Sequence, residues 1–214
     1  MQIAICKFEI TETRHLIFEI MFTGIVEEIG KIKSIVPSFP AAKLEISAKK
    51  ALNNINVGDS IAIDGVCLTV ISFTSNSFAV EVQNETQKLT KFQQYHEGSY
   101  VNLERAVTPE TRIGGHYVQG HIDAKGIVRA WHNEGQDWVL RVSVPEKIRK
   151  YIVKKGFIAL DGMSLTVTEI SEHVAVHVIP HTRSVTTLQY IKTGDYMNIE
   201  VDIIAKYVEK ISKF

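Results

Sequence analysis

Cysteine is scarce in this sequence, with only Cys6 and Cys67 among its 214 residues. The two lie far apart in the chain, which argues against a disulfide framework and against a metal site built on paired cysteines. This cysteine usage suits a reducing compartment. We therefore expect a cytoplasmic protein without a bound metal ion.

Long apolar runs and an excess of either charge are also missing. Proline, glycine or charged residues interrupt every hydrophobic stretch before it reaches the roughly 20 residues that a membrane-spanning helix needs. The 24 lysines and arginines balance 24 aspartates and glutamates, and the pI is about 7.1. These features predict no membrane association and argue against nucleic acid as a partner.

The first twenty residues stand apart from the rest. They carry charges throughout and lack both the basic start and the continuous apolar stretch of a signal peptide. Met21 begins a segment that looks like a natural start, so we expect residues 1–20 to be an extension outside the working fold. The alternative is an extra edge strand, because apolar residues alternate along part of this segment.

An internal repeat is the strongest pattern in the chain. Residues 58–70 match residues 155–167, and both stretches contain Asp-Gly followed by Leu-Thr-Val. Further matches follow in the same order, with residues 98–104 over 194–200 as the clearest. We therefore predict a first domain over residues 21–110, a second over 111–201, and a C-terminal helix over 202–214.

Short runs rich in Val, Ile, Phe and Thr, bounded by Gly, Asn and Asp, predict strands in each copy. Each copy also has one predicted helix, 48–55 with Ser47 as its N-cap and 146–153 with Pro145 in its first turn. About six strands and one small helix indicate a small antiparallel barrel. The strand candidates of the first copy are 43–47, 60–63, 68–71, 78–82 and 100–103.

The C-terminus departs from the repeat. Asp202 is a plausible N-cap, and the residues after it predict a helix with one apolar side and an i, i+4 pair of Glu209 with Lys213. Neither copy has a counterpart to this helix, so we expect the apolar side to dock on other chains. That side comprises Ile203, Ile204, Tyr207, Val208 and Ile211.

Five segments in order resemble the riboflavin synthase α-chain family, with its lumazine-binding repeats: residues 21–27, 64–70, 114–122, 161–167 and 179–182. The resemblance implies an all-β fold of two six-stranded Greek-key barrels in tandem plus a C-terminal α-helix. It also implies a homotrimer in which the first barrel of one chain faces the second barrel of a neighbour. Association with a lumazine synthase is a further possible partnership.

The reaction implied by the resemblance is a dismutation without a cofactor. Two molecules of 6,7-dimethyl-8-ribityllumazine exchange a four-carbon unit, giving riboflavin and 5-amino-6-(ribitylamino)uracil. A reaction between two identical molecules needs two similar pockets, and a duplicated barrel supplies them. Bringing the two molecules together lowers the barrier by roughly 7–11 kcal/mol in favourable cases.

The resemblance also implies a substrate-binding set with members in both copies. It comprises Phe22, Gly24, Ile25, Val26, Ser60, Cys67, Leu68, Thr69, Glu81, Val82, Gln83, Asn84, Glu85, Thr86, Gly120, His121, Ile122, Lys155, Ser164, Leu165, Thr166, Val178, Ile179, Pro180, His181, Thr182 and Arg183.

Four residues are the catalytic candidates. Cys67 and Ser164 share one repeat position with different atoms, which suits a donor and an acceptor pocket with different tasks. His121 is a candidate proton carrier, and Asp202 a member of the polar network. The alternatives are a buried inert thiol at Cys67, a structural or ribityl-binding His121, and an Asp202 that only caps the helix. Lys155 is either a ligand contact or a solvated charge.

A non-catalytic carrier of lumazine or flavin is the main competing function, since such carriers share this duplicated fold. The enzyme is favoured because both copies keep their Gly, Asp-Gly and Leu-Thr-Val landmarks. A reductase flavin domain is excluded because the sequence has no G-x-G-x-x-G motif for a nicotinamide-binding partner.

Overall fold

The computed structural model describes residues 21–213, which form two closed six-stranded antiparallel barrels in tandem. The predicted fold class is thus confirmed. The first barrel comprises β1 (Glu28–Val36), β2 (Ala41–Ser47), β3 (Ser60–Ile63), β4 (Val66–Phe73), β5 (Ser77–Gln83) and β6 (Tyr100–Arg105). The second comprises β7 (Ala124–Glu134), β8 (Asp137–Val142), β9 (Phe157–Leu160), β10 (Met163–Ile170), β11 (Val174–Val178) and β12 (Tyr196–Val201).

Both barrels have the same Greek-key strand order. Neighbouring strands run β1-β2-β5-β4-β3-β6 in the first barrel and β7-β8-β11-β10-β9-β12 in the second. Alternating side chains point inward, as with the fully buried Leu44 and Ile46 of β2, and each barrel has its own apolar core. Each large side chain in these cores contributes roughly 1.5–3 kcal/mol through burial. The extension expected over residues 1–20 lies outside the described residues.

In the described part of the chain, four helices accompany the strands: α1 (Asn84–Leu89), α2 (Glu146–Arg149), α3 (Pro180–Val185) and α4 (Ile203–Ser212). The strand-to-helix changes at α1 and α3 were not among the sequence predictions. Within residues 21–213, no helix is long and apolar enough to cross a membrane.

The predicted helix over residues 48–55 is wrong. Only a 3₁₀ turn forms, at Lys50–Leu52. The carboxylate of Glu28 accepts the backbone N–H groups of Lys49 (2.6 Å) and Ala51 (2.9 Å), and Ser47 Oγ donates to a carbonyl of β1 instead of capping a helix. The segment is therefore tied to β1, and a regular helix does not form.

The predicted helix over residues 146–153 is too long. It ends at Arg149, and Pro145 is its N-cap residue. Beyond it, Tyr151 and Ile152 donate their N–H groups to carbonyls three residues earlier, which is the tighter 3₁₀ pattern.

The C-terminal helix α4 forms as predicted. Asp202 Oδ1 accepts the N–H of Ile204 (2.9 Å), and Glu209 pairs with Lys213 (2.8 Å). Glu209 also accepts from Lys150 and Tyr151, which ties the helix to the second barrel. Most of the apolar side nevertheless remains exposed, with Ile204 at 52%, Tyr207 at 58%, Val208 at 60% and Ile211 at 70%.

Two Asp-Gly hairpin turns hold the barrels against each other. Gly65 between β3 and β4 and Gly162 between β9 and β10 both have positive φ, and a Cβ on Gly65 would lie 2.6 Å from Gly162 N. Glycine is therefore required where the turns meet. Asn102 donates to Asp161 O and Asn198 donates to Asp64 O, both at 2.9 Å, so each barrel binds the turn of the other.

A buried lysine lies between the same two turns. Lys91 Nζ is 2.6 Å from Asp161 Oδ2 and 3.0 Å from Asp64 Oδ2, and Tyr95 donates to Asp64. Burial raises the pKa of Asp161 to about 7, against the effect of Lys91. Burial alone would lower the pKa of Lys91, but the two carboxylates raise it above its usual range. The repeat has Thr187 at this position, so the cluster breaks the internal symmetry.

Candidate functional site

The segments that precede the two barrels cross over to the opposite barrel. We call residues 22–26 the first head segment and residues 118–122 the second. They pair with each other through Phe22 and Val118. Val26 packs against the core of the second barrel, whereas Ile122 packs against the core of the first. Each barrel is therefore completed by the head segment of the other.

Each head segment lies where two strands separate. The pairing of β4 with β5 ends at Val70↔Val80, and Cys67 donates its N–H to Gly120 O at 2.9 Å. In the second barrel, the pairing of β10 with β11 ends at Val167↔Val176, and Ser164 donates to Gly24 O at 2.8 Å. The separated strands leave a gap on the surface of each barrel.

Glycine is needed where the head segments approach these strands. Gly24 has φ +75° and Gly120 has φ +81°. A Cβ on Gly24 would lie 2.6 Å from Ser164 Cβ, and one on Gly120 would lie 2.5 Å from Cys67 Cβ. Any side chain at either position would push the head segment off the strand.

Each gap gathers predicted residues from both copies, and each is a candidate site. In the first, residues 67–69 lie opposite the end of β5 and the start of α1, with residues 120–122 from the second head segment. In the second, residues 164–166 lie opposite the end of β11 and α3, with residues 24–26. We call them the first and second candidate sites.

The side chains of the predicted set fall into three groups. Cys67 and Ser164 are partly exposed on the outer face, beside the exposed Thr69 and Thr166. Five residues of the set have buried side chains and can offer a ligand only their backbone groups. They are Phe22, Leu68, Val82, Leu165 and Val178. Exposed side chains next to the gaps are those of Glu81, Gln83, Asn84 and Glu85 in the first site and Ile179, Pro180 and His181 in the second.

Lys155 and Arg183 lie at the margins of the second candidate site. Lys155 is exposed in the turn before β9 and donates its backbone N–H to Val167 O (2.8 Å). The Arg183 guanidinium lies 4.2 Å from the ring centre of Trp138, a cation–π contact.

Partly buried Thr86 and Thr182 occupy equivalent positions in α1 and α3, where their carbonyls accept from the hydroxyls of Thr90 and Thr186.

Cys67 lies in an environment that favours the protonated thiol. Burial raises its pKa, and the charge of Glu200 raises it further, whereas a hydrogen bond with Ser60 opposes the shift. A thiolate nucleophile is therefore disfavoured at this position.

Ser164 lies in a different environment because His116 contacts it. His116 Nδ1 is 2.7 Å from Ser164 Oγ, and the imidazole stacks on Phe157 with ring centres 5.2 Å apart. Burial lowers the pKa of His116, although the charge of Asp202 opposes this, so the ring is neutral near pH 7. A hydroxyl bonded to a neutral imidazole is the arrangement of a nucleophile or proton relay with its base.

Sequence reasoning missed the contact of His116 with Ser164. It selected His121, whose ring is exposed and whose backbone N–H donates to Glu200 (3.0 Å). No local pattern distinguishes the two histidines, because the contact joins residues 48 positions apart. One sequence difference does indicate that the two sites differ. The first copy has Ser60 where the second has Phe157, the residue on which His116 stacks.

Two large cavities lie on the part of the chain that the structure describes, one away from the candidate sites and one lined in part by predicted site residues. One of about 780 Å³ lies between the barrels, beside Lys91 and Tyr95, and none of the predicted site residues lines it. Another of about 670 Å³ is lined in part by Ile25, Val26 and Ser60. Neither cavity is lined by residues 67–69 or 164–166, which flank the gaps between the separated strands.

Comparison with known proteins matches these features to one family. Residues 23–106 and 119–202 each match the model of the lumazine binding domain. The riboflavin synthase of Actinobacillus pleuropneumoniae is 44% identical over 192 residues, covering 89% of each chain. That of Bacillus subtilis (strain 168) is 41% identical, covering 88% of each chain. That of Mycobacterium tuberculosis (strain ATCC 25618 / H37Rv) is also 41% identical, covering 90% of this chain and 98% of the relative.

Solved structures share the fold at lower identity. The crystal structure of LumP complexed with riboflavin has a TM-score of 0.78 and 24% identity, covering 85% of this chain and 99% of that one. LumP complexed with 6,7-dimethyl-8-(1'-D-ribityl) lumazine gives a TM-score of 0.76 at 23% identity, with the same coverage. Because the lumazine binding domain occurs twice and riboflavin synthases are 38–44% identical over about nine-tenths of the sequence, the chain belongs to the riboflavin synthase family.

Proposed function

We propose that the chain converts two molecules of 6,7-dimethyl-8-ribityllumazine into riboflavin and 5-amino-6-(ribitylamino)uracil by transfer of a four-carbon unit. The observation that carries this proposal is the pair of equivalent surface gaps, each completed by the head segment of the opposite barrel. Two substrates and two products balance in every element, so the reaction consumes no oxidant, reductant or water. Each gap holds one substrate molecule.

The two candidate sites have different tasks in this proposal. A substrate loses a proton from its acidic C7 methyl group and attacks the ring of the second substrate. Neutral His116 accepts a proton through Ser164, while Asp202 stabilises the imidazolium that forms. In the first site, the protonated thiol of Cys67 acts as a hydrogen-bond donor or proton source rather than as a preformed thiolate.

The reacting substrates meet between chains of a homotrimer. The exposed apolar side of α4 supports this assembly, because soluble monomers rarely expose such a continuous stripe. Its burial would contribute roughly 1.5–3 kcal/mol for each large side chain fully removed from water. The first candidate site of one chain then faces the second site of its neighbour.

Complementation between inactive variants tests both the sites and their arrangement. We expect Cys67→Ala and Ser164→Ala each to reduce riboflavin formation about 100-fold, in line with the loss of a proton-transfer group. Coexpression of the two variants restores part of the activity, because some first sites with Cys67 then face second sites with Ser164. Normal activity of the single variants would refute the site assignment. Inactive mixtures would refute the arrangement between chains.

A carrier that binds lumazine without converting it is the competing function. The fold similarity to LumP is the observation in its favour. The identity of 38–44% with riboflavin synthases over nearly the whole chain supports the enzyme instead.

A further inference from the structure

Two buried glutamates occupy one repeat position in the two barrels. Glu104 on β6 is 5% exposed and lies opposite Ala62, whereas Glu200 on β12 is 2% exposed and lies opposite Ala159. Both alanines pack in one buried cluster with Phe22 and Val118 of the head segments. Neither glutamate was among the sequence-predicted site residues.

Glu104 binds the first head segment. Its Oε1 accepts the N–H (2.7 Å) and the hydroxyl (2.8 Å) of Thr23, and its Oε2 accepts the N–H of Gly24 (3.0 Å). The carbonyl of Gly24 in turn accepts from Ser164 at 2.8 Å. A glutamate of the first barrel thus lies two hydrogen bonds from the second candidate site.

Glu200 binds the second head segment in the same way. It accepts the N–H groups of Gln119 (2.7 Å), Gly120 (2.9 Å) and His121 (3.0 Å). The carbonyl of Gly120 accepts from Cys67 at 2.9 Å. A glutamate of the second barrel is therefore connected to the first candidate site.

We propose that Glu104 and Glu200 are positioning residues with crossed effects, Glu104 shaping the second candidate site and Glu200 the first. The inference rests on the proposed function, since it assigns an organising group to each of the two sites. Neither glutamate is proposed to touch the substrate.

The contacts require a carboxylate. Burial raises the pKa of both glutamates to about 7, so the binding measurements are made at about pH 8, where both are ionised. Three donors converge on two oxygens, and a carboxylate accepts at every lone pair, whereas a glutamine presents an NH₂ group that cannot accept. Charge-assisted hydrogen bonds to backbone N–H groups are also stronger than neutral ones. A Glu→Gln substitution keeps the size of the side chain but leaves at least one buried N–H facing another donor. The head segment then shifts away from the strand that it contacts.

Ligand binding to the first candidate site can be measured separately from the second, because a bound ligand protects the thiol of Cys67 from a chemical label. In a Cys6→Ser background, Cys67 is the only cysteine of the chain. Riboflavin in the first site should slow the reaction of Cys67 with a maleimide. We expect Glu200→Gln to require about tenfold more riboflavin for the same protection, because the loss of a charged hydrogen bond lets the second head segment move away from Cys67. Glu104→Gln should leave protection within about twofold of the parent, because its contacts lead to the other site.

Total riboflavin binding, measured by fluorescence quenching, reports both sites. Glu104→Gln should lose one class of site while Cys67 remains protected. Glu45→Gln is the control, since Glu45 pairs with Lys33 on the barrel surface and should change neither measurement. Glu104→Asp and Glu200→Asp keep the charge on a shorter side chain and should give the same crossed pattern more weakly. They supply the test where a glutamine variant does not fold.

Two outcomes would overturn the inference, and a third would overturn the proposed function. Equal loss of Cys67 protection in both glutamine variants would show a general structural role. Unchanged protection in folded Glu200→Gln would show that the hydrogen bonds do not position the first site. Absence of protection in the parent would instead remove the proposed first site itself, so failure of the proposed function is distinguishable from failure of the crossed effects.

Discussion

Cys67 and Ser164 occupy the same position of the repeat, but their surroundings differ. Ser164 bonds to His116, whereas Cys67 contacts Ser60 and has a raised pKa through burial. The sequence predicted that this pair would differ, because one position holds a thiol and the other a hydroxyl. It could not predict His116, since that contact depends on the pairing of His116 with Thr23, to whose carbonyl it donates its backbone N–H at 3.1 Å.

His116→Phe tests the proton-transfer role at residue scale. The substitution keeps a ring that can stack on Phe157 but removes the nitrogen that contacts Ser164. We expect kcat to fall about 100-fold, with riboflavin affinity changed less than about threefold. Steady-state kinetics and fluorescence titration measure the two effects.

The matched control for this substitution is His132→Phe, at an exposed position of β7. It should leave both quantities unchanged. If His116→Phe weakens binding as much as turnover, His116 has a structural role and no part in proton transfer.

The buried carboxyl group of Glu200 should make the stability of the protein depend on pH. Burial raises the pKa of Glu200 to about 7 from its ordinary 4.5. Between these values the folded chain binds the proton more tightly than the unfolded chain does, so the free energy of unfolding falls as pH rises through this interval. We expect Glu200→Gln to remove about 1–3 kcal/mol of that fall between pH 4.5 and 8.

Urea unfolding of the parent and of Glu200→Gln at several pH values measures the difference. Glu45→Gln serves again as the surface control. The prediction is contradicted if the parent and Glu200→Gln lose the same stability across the interval.

At the scale of elements, alternation of apolar residues predicted strands such as Ala41–Ser47, which buries one side. Other strands, such as Tyr100–Arg105, are buried along most of their length. The strand Ser60–Ile63 has the predicted bounds. The short helices were less predictable. Glu28 lies about twenty positions before the backbone N–H groups that it binds, and no local pattern in residues 48–55 shows that these groups have a partner outside a helix.

Helix α4 is expected to hold the assembly together through its exposed apolar side. Truncation after Ala205 removes Tyr207, Val208 and Ile211, which form most of the exposed apolar side. We expect monomers that still bind riboflavin but form little of it, because the substrates meet between chains. Sedimentation, fluorescence titration and turnover on one sample measure all three properties.

Tyr207→Glu in the full-length chain provides a milder version of the same change. It should weaken assembly through the cost of placing a charge in an apolar interface. A fully active monomer from either change would show that both substrates meet within one chain.

At the scale of the whole molecule, the duplication predicted two barrels and two equivalent sites. Repeated landmarks such as Asp64-Gly65 and Asp161-Gly162 indicated where the copies correspond, and the structure shows why they recur, since these turns pack against each other. The exchange of head segments was not predictable, because pairing between Phe22 and Val118 leaves no periodic pattern in the sequence. The exchange makes the two barrels interdependent.

Catalysis without any second reagent is the central claim. The most direct test is incubation of the purified chain with 6,7-dimethyl-8-ribityllumazine alone, with riboflavin measured by absorbance and both products by chromatography. We expect one riboflavin and one 5-amino-6-(ribitylamino)uracil for every two lumazine molecules consumed. Tight binding of the lumazine without formation of riboflavin would contradict it and identify the chain as a carrier.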